Sequence, residues 1–170
     1  MTEGDRSDLA AVRVVHCADG LALAEVSGHF LAIWRSGVTK PLFEWQRYCL
    51  AEALQRRPKG AGFVCVIEPT CKPPDDELRR ASADMIAENE ARLKCVAVVI
   101  EGDGFRAAIA RSVLSGMVLL FPNRRVPVSY FSNVRDATEW VSKFAPVQST
   151  EAFVAGVGRV RARMSAWENG

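Results

Sequence analysis

The chain has 170 residues with 22 Lys and Arg against 20 Asp and Glu, a net charge of +2. Hydrophobic residues make up 49% and charged residues 25%, the composition of a globular domain of ordinary size. That balance excludes a disordered chain, and it excludes nucleic acid or an anionic membrane as the default partner.

Met1 to Ala10 are polar and charged, and are expected to be disordered. No secretory leader is read in them, and no run reaches the ~18 apolar residues of a membrane span. The five cysteines are Cys17, Cys49, Cys65, Cys71 and Cys95, and none forms a C-x-x-C pair. The expectation is a cytoplasmic protein with reduced thiols.

Three short strands come first. Val12 to Cys17, Leu21 to Val26 and His29 to Trp34 are separated by Ala18-Asp19-Gly20 and Ser27-Gly28, which are turn signals. Such short connections predict an antiparallel meander. Pro41 suits the first turn of a helix, on which Leu42, Trp45, Cys49 and Ala53 recur at helical spacing. Gly62 to Ile67 is a continuous apolar run, the pattern of a strand covered on both faces. Glu68 to Pro74 is a loop. Asp75-Asp76-Glu77 opens a helix with Leu78, Ala81, Met85 and Ile86 as its stripe and Leu93 closing it. Cys95 to Ile100 is a second apolar strand, and Glu101 to Gly104 turn into a helix from Phe105 to about Leu120. Pro127 to Phe131 is a short strand. Ser132 or Asn133 caps the next helix, with Val134, Ala137, Trp140 and Val141 on it. A last helix runs from about Thr150 to Trp167.

The fold class is α/β. A mixed open sheet of about five to six strands follows the order β-β-β-α-β-α-β-α-β-α, parallel in its later part. Residues 11–145 form the domain, and residues 146–170 a C-terminal amphipathic helix.

Particular stretches of this pattern resemble the STAS-like superfamily, and within it the small SpoIIAA-like proteins of bacteria. They are His29 to Trp34 entering the first helix, Gly62 to Ile67, Val98 to Arg106 as strand, loop and helix, and Asn133 to Val141 as closing helix. The resemblance implies a binding or scaffolding module. Phosphoswitching members carry an Asp-Ser pair where this chain reads Gly102-Asp103-Gly104-Phe105, so the phosphorylatable serine is missing.

Two surfaces stand out. Gly102, Asp103, Gly104, Phe105 and Arg106 lie at the carboxyl end of a central strand, where open α/β sheets bind ligands. Their glycines permit close approach, and Arg106 suits a phosphate or carboxylate. A plain strand-to-helix turn capped by Asp103 is the alternative. Second, Phe153, Val157, Val160, Met164 and Trp167 are spaced by 4, 3, 4 and 3, a seam for one partner helix, with Arg159, Arg161 and Arg163 off it. The seam either packs on the chain's own sheet or docks on a second subunit or another protein.

Chemistry is sparse. Glu68 and Glu101 end central strands and could converge as paired carboxylates, or could simply pair with Arg or Lys. Cys71, beside Lys72, is the thiol expected to be accessible; a lysine can lower a thiol pKa, but an ordinary loop thiol is the favoured reading. His16 and His29 sit in the meander. No spacing suits a metal or cofactor, and no catalytic residue is assigned. The reading is a non-enzymatic regulatory or scaffolding module acting through protein contacts or self-association. A module for a small anionic or lipid-like ligand comes second, and an enzyme of unknown class third.

Overall fold

The computed structural model describes residues 11–72, 74–104 and 125–169. The expected N-terminal segment and the helix expected from Phe105 to Leu120 lie outside them.

Six strands form one sheet in chain order: β1 (Val12–Ala18), β2 (Leu21–Val26), β3 (His29–Trp34), β4 (Ala61–Ile67), β5 (Leu93–Ile100) and β6 (Val128–Phe131). The first two pairings are antiparallel and the last three parallel, so the sheet is mixed. The helices are α1 (Lys40–Gln55), α2 (Asp76–Glu88), α3 (Val134–Val141) and α4 (Thr150–Glu168).

The meander turns as its sequence demands. Asp19 and Gly20 have φ of 53° and 74°, and Ser27 and Gly28 of 48° and 84°. Two successive positive φ values are what a tight hairpin with the native strand twist needs. Glycine at the second position has a further cause at Gly20, where a Cβ would lie 2.1 Å from the Ser36 hydroxyl.

Strand alternation divides the core in two. Ala22, Ala24, Leu31, Ile33, Val64, Val66, Ala97 and Val99 face α3 and α4. Leu21, Leu23, Phe30, Ala32, Phe63 and Val96 face α1 and α2. Every residue of β2 and β3 is buried, so these antiparallel strands are as fully sandwiched as the parallel ones.

The starts of α2, α3 and α4 follow side-chain caps. Asp75 accepts from the Leu78 amide at 2.9 Å, Asn133 from that of Asp136 at 2.9 Å, and Ser149 from that of Ala152 at 3.0 Å. Two expectations need correction. Leu93 does not close α2: the helix ends at Glu88, and Leu93 begins β5. The buried stripe of α1 is Phe43, Gln46, Cys49, Leu50, Ala53 and Leu54, so Trp45 points outward. The reason is Gln46, whose amide oxygen accepts from Trp34 Nε1 at 2.7 Å, which lets a polar residue hold an inner position.

The α4 seam is used within the chain. Phe153, Val157, Val160 and Met164 are all at most 2% exposed and belong to the α3–α4 side of the core, while Trp167 is 64% exposed. Four of the five residues assigned to a partner helix therefore bury on the chain's own sheet.

His29 ties this side together. Its Nδ1 accepts from the Gly62 amide at 3.0 Å and its Nε2 donates to the Pro146 carbonyl at 2.8 Å. The Phe153 ring packs edge-on to it, with centroids 6.3 Å apart. A second proton on Nδ1 would face the Gly62 N–H. Burial pushes the His29 pKa below its ordinary 6.5, the Pro146 carbonyl opposes this, and Arg57 adds to the lowering.

Two outcomes are expected. Phe153→Ala should cost about 3–5 kcal/mol and Trp167→Ala less than about 0.5 kcal/mol in urea unfolding. Comparable losses would contradict the packing of α4. For His29 the folded pKa lies below the unfolded one, so its contribution is complete above pH 6.5 and declines as pH falls. Stability measured from pH 7.5 to pH 5 should drop less steeply in His29→Gln, and an unchanged slope would contradict the assigned protonation state.

Candidate functional site

The carboxyl ends of the parallel strands are built by register. Trp34 pairs with Ile67, and Ile67 with Ile100. The next residue of each strand is charged, so Arg35, Glu68 and Glu101 stand side by side. The ladder continues through them: the Glu68 amide donates to Trp34 at 2.9 Å and the Glu101 amide to Ile67 at 3.0 Å.

Glu68 and Glu101 converge, as their strand-end positions suggested, and arginines hold both. Arg35 Nε donates to Glu68 Oε2 at 2.6 Å and Nη2 to Oε1 at 3.4 Å. Arg161 of α4 lies between the two acids, with Nη2 at 2.7 Å from Glu101 and Nε at 3.4 Å from Glu68. Glu168, two turns further along α4, reaches Arg35 at 2.8 Å. One face of α4 thus crosses the strand ends and alternates charge with them. Glu68 is the most enclosed member, with its side chain 12% exposed. Hydrogen bonding to Glu68 leads the causes that raise the Arg35 pKa still further.

Beyond this plate the β5 loop is open. Gly102 and Gly104 have φ of 116° and 100°, and Asp103 and Gly104 are exposed. A Cβ at Gly104 would meet nothing within 4 Å. Glycine is required there by backbone conformation, and among the described residues nothing fills the space beside Gly104. Phe105 and Arg106 lie outside the described residues.

The neighbouring loop after β4 folds back on β3. Thr70 Oγ1 donates to the Arg35 carbonyl at 2.7 Å, and the Cys71 thiol donates to the Ser36 carbonyl at 2.8 Å. Burial, with Glu68 second, pushes the Cys71 pKa up to about 11. Lys72 therefore does not activate this thiol. Among the described residues, no three His, Cys, Asp or Glu side chains form a metal-holding group. No helix among them is long and apolar enough to cross a membrane.

Two features escaped sequence reasoning. Trp45 and Tyr48 stack on the outer face of α1, centroids 5.5 Å apart and planes 16° apart, with His16 of β1 edge-on to Trp45 at 6.5 Å. They are 42% and 56% exposed. Helical spacing with Leu42, Cys49 and Ala53 had put Trp45 inward, and the competing spacing that reverses it is that of Phe43, Gln46 and Leu50. Second, Glu25 gathers Arg13, Arg56 and Arg57 at the other end of the sheet. Its signal was legible as the one charge in the otherwise apolar Leu21–Val26.

No family model matches the chain, and no curated protein matches it either. Among solved structures, the chain is similar to an uncharacterized protein of the DUF3478 family with a SpoIIAA-like fold, from Shewanella loihica PV-4. The likeness covers 78% of this chain and 94% of that one, with 16% identity and a TM-score of 0.47.

The Cys71 thiol provides a direct check. With a pKa of about 11, roughly one thiol in a thousand is ionised at pH 8. Its alkylation by iodoacetamide, followed by peptide mapping, should keep accelerating above pH 9. A rate that levels off below pH 8 would mean an activated thiol instead.

Proposed function

We propose that the chain is a non-enzymatic regulatory or scaffolding module that acts through protein contacts. The observation that carries this reading is the charge balance at the strand ends. Glu68 and Glu101, the two acids that could have exchanged protons with a substrate, each face a guanidinium at 2.6–2.7 Å. Both carboxylates are thereby engaged in ion pairs within the chain. The adjacent Cys71 thiol is protonated at neutral pH. What this end of the sheet offers a partner is a rigid plate with an open Gly102-Asp103-Gly104 loop in front of it.

The stacked Trp45 and Tyr48 supply a second contact surface. Exposed Trp and Tyr are the side chains that most often dominate binding energy at protein interfaces, because they bury large areas with little loss of rotamer freedom. The α4 seam has no part in this, apart from the exposed Trp167.

The test is partner recovery from the native host, comparing wild type with Asp103→Lys and with Trp45→Ser/Tyr48→Ser. Each variant is first required to unfold at the wild-type temperature. A specific partner should be lost at least tenfold with one variant. Recovery that is the same with all three proteins would sink the reading for both surfaces.

A further inference from the structure

The amino ends of the parallel strands carry a different charge arrangement. Glu25 lies on the α1 face of β2, its side chain 8% exposed. Its Oε1 accepts from Arg13 Nη1 at 2.7 Å and from Arg56 Nη2 at 2.6 Å, and its Oε2 accepts from Arg57 Nη2 at 3.0 Å. The three arginines come from two elements for local reasons. Arg13 is the cross-strand partner of Glu25 in the β1–β2 register. Arg56 is the C-cap of α1, and Arg57 follows it. Arg92 donates to the Leu54 and Gln55 carbonyls at the end of α1, which leaves Arg56 and Arg57 to turn toward the sheet. Gly28 makes room for Arg57, since a Cβ there would lie 2.9 Å from Nη1.

Among the described residues, Glu25 is the sole carboxylate within ion-pair distance of these three guanidiniums. One would neutralise it. The second and third add repulsion in a space one carboxylate wide, and stability alone does not call for them. Each guanidinium has five N–H donors and gives Glu25 only one of them. The arginine side chains are 63%, 45% and 39% exposed, so the group stands at the surface.

We infer that Arg13, Arg56 and Arg57, oriented by Glu25, form a binding site for a phosphate monoester. The local surplus is two positive charges, and a phosphomonoester carries about −1.5 to −2 at neutral pH. Its tetrahedral oxygens match the planar forks of several arginines at once, and a single carboxylate would leave the surplus half balanced. Glu25 is the positioning residue: it keeps three mutually repelling groups converged before the ligand arrives. The site stands apart from the protein-contact surfaces proposed above, and either proposal can fail alone.

The experiment follows the arginine Nε–Hε and Gly28 amide resonances of labelled protein during titration with inorganic phosphate, chloride being adjusted to hold ionic strength constant. Saturable shifts at Arg13, Arg56, Arg57 and Gly28 are expected, with affinity at least tenfold weaker in Arg56→Gln. Should that variant fold poorly, Arg13→Gln, altered on an exposed edge strand, is expected to weaken binding in the same direction. A parallel arm uses a phosphoserine peptide and its unphosphorylated form. Tenfold tighter binding of the phosphopeptide than of phosphate identifies a phosphorylated protein as the source, and equal affinity a small phosphoester. Shifts that do not saturate, that chloride reproduces, or that persist undiminished in both arginine variants would overturn the site.

Discussion

Leu31, Val64 and Ala97 stand in register across β3, β4 and β5, each with no exposure to solvent. Everything else follows from those three strands being covered on both faces. A parallel pair cannot be joined by a tight turn, so each connection must cross the sheet. Two of the crossings are α1 and α2, which lie on one side. The opposite side is left to α3 and α4, and that requirement is what draws Phe153, Val157, Val160 and Met164 inward. A seam that looks suited to another molecule is consumed by the sheet's second face.

The same register sets the electrostatics. Strands that stop level present their next residues as a row, and here the row is Arg35, Glu68, Glu101. Two adjacent acids would repel, and α4 relieves this by laying Arg161 between them. At the amino ends, among the described residues, three arginines share Glu25. Among the described residues, one end thus interleaves acids and arginines, while at the other a single acid serves three arginines. The burial that surrounds Glu25 would raise its pKa, but hydrogen bonds from Arg56, Arg57 and Arg13 outweigh this and keep the carboxyl below its usual range.

His29 ties the α3–α4 layer to the backbone of the sheet. Its ring closes the start of β4 and the segment leading to α4 with a single neutral tautomer. Gly62 has to be glycine for the same geometry, since a Cβ would come within 2.8 Å of Val141 and 3.3 Å of the His29 ring. Residues widely separated in sequence are thus held by one imidazole that has no spare acceptor.

Elements and their order were legible in the sequence because hydrophobic period and turn chemistry are local. Asp19-Gly20 and Ser27-Gly28 announce hairpins, and Val64 and Val98 sit in runs that only a sheet could bury. The Glu101–Gly104 loop was legible for the same reason, being the end of such a run. Which side of a helix faces in was less so. Trp45 lost its inner place to Gln46 because a hydrogen-bond donor, the Trp34 indole, waited across the interface. The charged groupings required the third dimension altogether. Arg35 meets Arg161 through Glu68, and Glu25 meets Arg56, only because register and helix crossing bring distant residues within 4 Å. Local pattern determined what the pieces are, since burial and backbone conformation act over a few residues. Tertiary structure decided which faces and charges remain for other molecules, since that depends on what the fold has already used.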